Sequence, residues 1–159
     1  MTDRDFQTAP MTVATATVAA RLHADAGFSP SWRAQDFATL LATPGVAGAL
    51  ALSDDGDPVG LVLWRVAADE GEILTFCVAP AHRRRGVGYS LLQAAAAALR
   101  DCAAARMFLE VAVDNAPAVA LYRRFGLSEA GRRPGYYLTP AGPVDAIILM
   151  KALDMSEPR

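Results

Sequence analysis

Cysteine is scarce in this chain, and its scarcity excludes a class of folds. Cys77 and Cys102 are the two in 159 residues, too few for a disulfide framework and too far apart for a Cys-x-x-Cys pair, which suits a reducing compartment. Each reads as a small buried hydrophobe rather than a catalytic thiol. Charge of one sign is also missing. The formal net charge is -2, so general attachment to nucleic acid or to an acidic membrane is not expected. No apolar run approaches the roughly 18 residues of a membrane span. Residues 1–10, with Asp3, Arg4 and Asp5, lack the positive-then-apolar order of a secretion leader. No metal-ligating constellation is visible. A soluble, cytoplasmic protein without a metal is expected. What is plentiful is apolar: 53% hydrophobic residues suffice for one core, so residues 1–159 read as a single domain, with about 1–10 and 154–159 as flexible ends.

The stretch around which the chain is organised runs from Val78 to Leu92. Upstream, Ile73 to Val78 is β-branched and apolar, and Pro80 stops the strand because proline offers no ladder donor. Downstream, Gly88 to Arg100 is rich in good helix formers. Between them lie Arg83, Arg84, Arg85, Gly86 and Gly88, so backbone N–H groups at a helix start, glycines and positive charge meet in one turn. That combination suits an anion, a phosphate above all. The nucleotide-triphosphate loop is excluded because no Lys follows these glycines, and the dinucleotide fingerprint because position 91 is Leu. Arg83-x-x-Gly86-x-Gly88 remains; a plain basic surface turn could carry the same residues.

Around this turn the pattern predicts a helix over Thr12 to Ala26 closed by Gly27, then a second helix capped by Ser29 and begun at Pro30, running through Phe37 to Leu41. Val46 to Leu52 and Val59 to Val66, separated by a Ser53–Pro58 turn cluster, read as a hairpin, and a third strand begins at Glu72. After the cradle helix, Arg106 to Val113 is strand-like, and Asp114-Asn115-Ala116-Pro117 starts a helix that Gly126 ends. Strand, helix, strand implies a parallel pair with its ligand at the carboxyl ends. Leu127 to Ala130 and Ala146 to Met150 read as a last hairpin, joined by a long loop from Gly131 to Val144.

Two blocks carry a family resemblance. Arg83-x-x-Gly86-x-Gly88 resembles the acetyl-CoA signature of the GNAT superfamily of N-acetyltransferases, and Phe108 to Leu127, with Asn115, Ala118, Leu121 and Tyr122, resembles that family's second block. Arg133-Pro-Gly-Tyr-Tyr and Asp145-Ala-Ile-Ile-Leu-Met extend the likeness toward the bacterial ribosomal-protein alanine N-acetyltransferase (RimI) subfamily. The resemblance implies an α/β fold of the mixed α+β kind, a mostly antiparallel sheet of about six to seven strands with one splayed parallel pair, flanked by about four helices. It implies acetyl-CoA as co-substrate, held by Phe76, Cys77, Val78, Arg83, Arg84, Arg85, Gly86, Val87, Gly88, Tyr89, Asn115 and Tyr122. Glu110 would be the general base and Tyr122 the general acid. Phe28, Trp32, Tyr136 and Tyr137 would line the acceptor site, the partner being a peptide or protein N-terminus, and the protein a monomer or weak homodimer. One departure stands out: the subfamily often has Pro directly before Trp in its first inter-helix loop, whereas Ser31 separates Pro30 from Trp32 here.

The chemistry requires such a pair. An amine attacks a thioester only when neutral, and the departing thiolate must gain a proton. Phe108, Glu110 and Ala112 share a strand face, so apolar neighbours are expected to make the Glu110 carboxylate more basic. Tyr122, at an ordinary pKa of about 10, lies near a thiol's roughly 8.5. Neutralising an α-amine of pKa about 7.8 at pH 7 costs roughly 1 kcal/mol, against nearly 5 for a lysine, which favours the α-amine. Alternatives are an acetyltransferase of small amines or lysine side chains, and a coenzyme-A-binding module that transfers nothing.

Overall fold

The computed structural model describes residues 6–28 and 30–154. Among these, seven strands form one sheet: β1 Gln7–Pro10, β2 Val46–Leu52, β3 Pro58–Ala67, β4 Glu70–Val78, β5 Arg106–Ala112, β6 Ser128–Thr139 and β7 Gly142–Ala152. Four α-helices accompany them, α1 Ala16–Asp25, α2 Ala34–Leu41, α3 Val87–Asp101 and α4 Ala116–Phe125. The order across the sheet is β1-β2-β3-β4-β5-β7-β6, and every pair is antiparallel except β4 with β5. The expected mixed, mostly antiparallel sheet with one parallel pair is therefore present.

Helices cover both faces. On one, α3 and α4 bury Leu91, Leu92, Leu99 and Tyr122 against Val62, Trp64, Met107, Leu109 and Leu149. On the other, α1 and α2 bury Leu22 and Phe37 against Leu50, Leu61, Leu63 and Cys77. Phe37 is fully buried, so truncating it to alanine would cost about 3–5 kcal/mol.

Several boundaries differ from expectation. Val13–Thr15 is a 3-10 turn before α1, and Gly27, at φ +96°, ends that helix as predicted. The second helix starts at Ala34 rather than Pro30, because the Asp36 carboxylate accepts the Arg33 N–H (2.8 Å) and caps it there; Ser29, the expected cap, lies outside the described residues. Gln7–Pro10, expected to be part of a loose end, instead pairs with Ala49–Leu52. Gly131 to Val144 is not a loop: most of it belongs to β6 and the start of β7, held by pairing between them.

Two irregularities build the site. The β3–β4 register passes from Leu63↔Thr75 to Trp64↔Ile73, leaving Leu74 as a bulge. Ile73 thus packs on the α3 side, while Cys77, which strict alternation would put on the same side, packs on the α1 side. Next, β4 and β5 pair only at Glu70↔Arg106, Gly71↔Met107 and Glu72↔Phe108. Beyond those pairs the strands part, each still held by its outer neighbour, β3 or β7. The gap is a wedge with strand edges for walls.

Candidate active site

The wedge opens into a cleft of about 1020 Å³ beneath the N-terminus of α3. Gly86, at φ +90°, is the N-cap of α3, and no side chain caps the helix. The first-turn N–H groups are thereby left to an outside acceptor, with the positive end of the helix dipole behind them. Arg84 is also left-handed, at φ +61°, a conformation costing a non-glycine residue about 1–2 kcal/mol. Such strain persists where the surroundings impose it, and here it sits in the anion cradle.

Every residue expected to touch the cofactor lines this cleft: Phe76 to Val78 on β4, Arg83 to Tyr89 in the cradle, and Asn115 and Tyr122. Sequence reasoning missed others on its wall, among them Ala26, His82, Pro117 and Arg124. Arg124 lies over the Tyr89 ring, 4.9 Å from its centroid. No motif pointed to it, since the contact depends on how α4 packs on α3. The cradle glycines divide the work. A Cβ on Gly88 would meet Leu121 Cδ2 at 2.8 Å and Phe76 Cζ at 3.0 Å, so Gly88 permits close packing of α3 on the cleft wall. Arg83 differs from its neighbours: it donates from Nε to Val78 O (3.3 Å) and from Nη2 to Ala26 O (3.1 Å). Its guanidinium thus joins the cradle to the end of α1.

Tyr122 is 7% exposed and meets the Phe76 ring edge-on at 5.7 Å. Burial raises its pKa, with smaller contributions from Tyr137 and Cys77. The phenol therefore always carries its proton, but it is a weaker acid than expected from sequence. On the same wall, burial pushes the Cys77 thiol up to about 12.

Glu110 stands elsewhere. It is on the face of β5 opposite Met107, Leu109 and Val111 and does not line the cleft. The expectation of a carboxylate among apolar neighbours is corrected: Arg133 Nε lies 2.8 Å from Glu110 Oε1, and the Tyr136 hydroxyl also hydrogen-bonds this carboxylate, which raises the pKa of Tyr136. Only 16% of the Glu110 side chain is exposed. A bulge in β6 brings these partners in. Between Arg133↔Ala146 and Tyr137↔Val144, β6 spends three residues where β7 spends one, and that one, Asp145, accepts the Gly135 N–H (2.8 Å). Burial pushes the pKa of Tyr137 up to about 12, with smaller contributions from Glu110 and Tyr136.

The remaining aromatic candidates separate. Phe28 is exposed, lines the cleft and stacks on His23 at 3.9 Å. Trp32 packs against the α1–α2 core and is not on the cleft wall. Tyr136 and Tyr137, in edge contact at 5.1 Å, lie on the Glu110 side. No group of three or more His, Cys, Asp or Glu among the described residues could hold a metal. No helix among them is long and apolar enough to cross a membrane.

An uncapped helix start, a strained basic loop and a wedge between parted strands define an acyl-carrier cleft, and comparison places it in a family. The model of the Acetyltransferase (GNAT) family matches residues 17–127, and the chain belongs to that family. It is an N-acetyltransferase with acetyl-CoA as donor. Among relatives, [ribosomal protein bS18]-alanine N-acetyltransferase of Escherichia coli (strain K12) is 35% identical over 104 residues, 65% of this chain and 70% of the relative. A putative enzyme of the same name from Bacillus subtilis (strain 168) is 31% identical over 122 residues, 77% and 80% of the two chains. The crystal structure of the ribosomal-protein-S18-alanine N-acetyltransferase from Escherichia coli superposes with a TM-score of 0.84 at 26% identity, covering 96% of this chain and 97% of that one.

Proposed function

We propose that the protein acetylates the N-terminal α-amine of a protein or peptide, with Glu110 as general base and Tyr122 as general acid. The observation that carries this reading is the arrangement of these two groups. Tyr122 lines the donor cleft, and Glu110 lies outside it on β5, its carboxylate hydrogen-bonded by Tyr136 and its charge felt by Tyr137. The residues present suit acetyl-CoA: free helix N–H groups and arginines for its phosphates, and parted strand edges for its amide-bearing arm. Bound there, it would supply a thioester carbon to attack and a thiol leaving group.

Glu110 takes the proton that the amine must lose, directly or through one water, after the ammonium displaces Arg133 from it. Tyr122 returns a proton to the sulfur as the C–S bond breaks, so one N–H proton is lost and one S–H gained. Phe28, Tyr136 and Tyr137 are the proposed acceptor-side surfaces; Trp32 supports them from within the core. The names of the relatives favour an acceptor beginning with alanine on a ribosomal protein, in the compartment where ribosomes are made.

Mass spectrometry of Ala-initiated peptides, free and N-terminally blocked, tests this. Acetylation is expected at the free terminus alone. Lysine side chains of the blocked peptide acetylated at comparable rates would replace the reading with a lysine or general amine acetyltransferase.

A further inference from the structure

His23 has no part in the chemistry above, yet it is 1% exposed and lies among three aromatic rings. It stacks on Phe28 with centroids 3.9 Å apart and planes 7° from parallel, lies 5.3 Å from Trp32, and meets Phe37 edge-on at 5.6 Å. Its Nδ1 accepts the backbone N–H of Trp32 at 3.0 Å. That bond requires a lone pair on Nδ1, hence a neutral imidazole. Phe28, held by the stack, is part of the cleft wall. One imidazole therefore joins α1 to both sides of the α1–α2 connection, by ring contact before Ser29 and by hydrogen bond after it.

We propose that His23 is a positioning residue for the acceptor. Its neutral ring holds Phe28 and Trp32 in place on the acceptor side, and its protonation releases them. The inference rests on the acceptor reading above. A proton on Nδ1 turns the acceptor into a donor facing another donor, and puts a charge among Phe28, Trp32 and Phe37. Of the charged groups on the surrounding elements, Asp36 on α2 is engaged by Arg33, and Arg83 in the cradle by two carbonyls. Asp25 stands two residues further along α1, and Cys77 on β4 is an uncharged thiol. None of them offsets burial, which lowers the pKa of His23 from its ordinary 6.5. The sign follows: an unfolded chain takes up the proton at about 6.5 and the folded one only at lower pH. The stability that His23 contributes is thus complete above about pH 6.5 and is lost as pH falls from there through the folded value.

The test titrates the full chain. Trp32 fluorescence should show one transition below about pH 6.5, because a protonated imidazole beside an indole quenches it. The transition should vanish in Trp32→Phe, which keeps Trp64 as the other indole, and in His23→Asn, whose Oδ1 accepts the N–H without titrating. The KM for the acceptor peptide should rise about three- to ten-fold across that transition in wild type relative to His23→Asn. Ionisation of the peptide amine is common to both proteins and cancels in the ratio. If His23→Asn does not fold, an NMR titration of the wild-type imidazole and the Trp32 amide replaces it, and coincident transitions are expected. A wild-type to variant ratio that stays flat from about pH 8 to about pH 5, or an imidazole that titrates without moving the Trp32 amide, overturns the proposal. A peptide panel that is inert at every pH in all variants instead overturns the acceptor reading.

Discussion

Tyr122 shows how environment changes a residue that sequence had already singled out. Its position in the second block was legible; its deep burial against Phe76 was not, because that depends on how closely α4 packs over the parted strands. The Phe76 contact needs only the ring, so Tyr122→Phe should fold normally and bind acetyl-CoA with an affinity close to wild type. Loss of the proton donor should lower kcat by about 10²–10⁴. Steady-state rates alongside calorimetry separate the two effects. Full activity would transfer the donor role to Tyr137. Glu110 offers the opposite lesson. Its place on a strand face was read correctly, but Arg133 is 23 positions away in sequence and reaches it only because β7 lies between β5 and β6. No local spacing encodes that pairing.

The elements that sequence revealed well were those whose signals are local. α3 follows from a run of strong helix formers after Gly86, the end of α1 from Gly27, and the β2–β3 turn from Asp-Gly, where Gly56 at φ +84° donates its N–H to Ser53 O (2.9 Å). β6 was hidden for the opposite reason. It is an edge strand, nearly all exposed, with Pro134 and two glycines, so neither alternation nor apolar content marks it, and pairing with β7 supplies its order. Its bulge depends on one side chain. Asp145→Ala would free the Gly135 N–H and loosen residues 134–136, removing the Tyr136 contact from Glu110. The KM for an acceptor peptide should rise about ten-fold, with acetyl-CoA affinity unchanged because none of these residues lines the donor cleft. Equal loss of cofactor affinity would mean that the hairpin supports the cleft itself.

At the scale of the whole molecule, the cleft is assembled from β4, the cradle, α3 and α4, with Ala26 and Phe28 of the α1–α2 connection on its wall, and Arg83 joins the cradle to α1. Net charge bears on how the donor is held. With a formal charge of -2, the chain as a whole does not attract an anion, so affinity for acetyl-CoA is expected to come from short-range contacts with Arg84, Arg85, Arg124 and the helix N–H groups that line the cleft. Ligand at about 100 times its Kd stabilises a fold by about 2.7 kcal/mol, and in a chain of this size each kcal/mol shifts Tm by about 2–4 °C. Acetyl-CoA should therefore raise Tm by about 5–10 °C. At a fixed ligand concentration that rise should shrink as salt approaches about 1 M, where the screening length falls to about 3 Å and the exposed guanidinium groups lose most of their hold. It should not vanish, because the N–H groups at the start of α3 are partly shielded from solvent by the cleft and are screened far less. Scanning calorimetry of the free and ligand-saturated protein at low and high salt measures both parts. A salt-independent rise would remove the arginines from the donor site and leave the helix start alone to hold the phosphates.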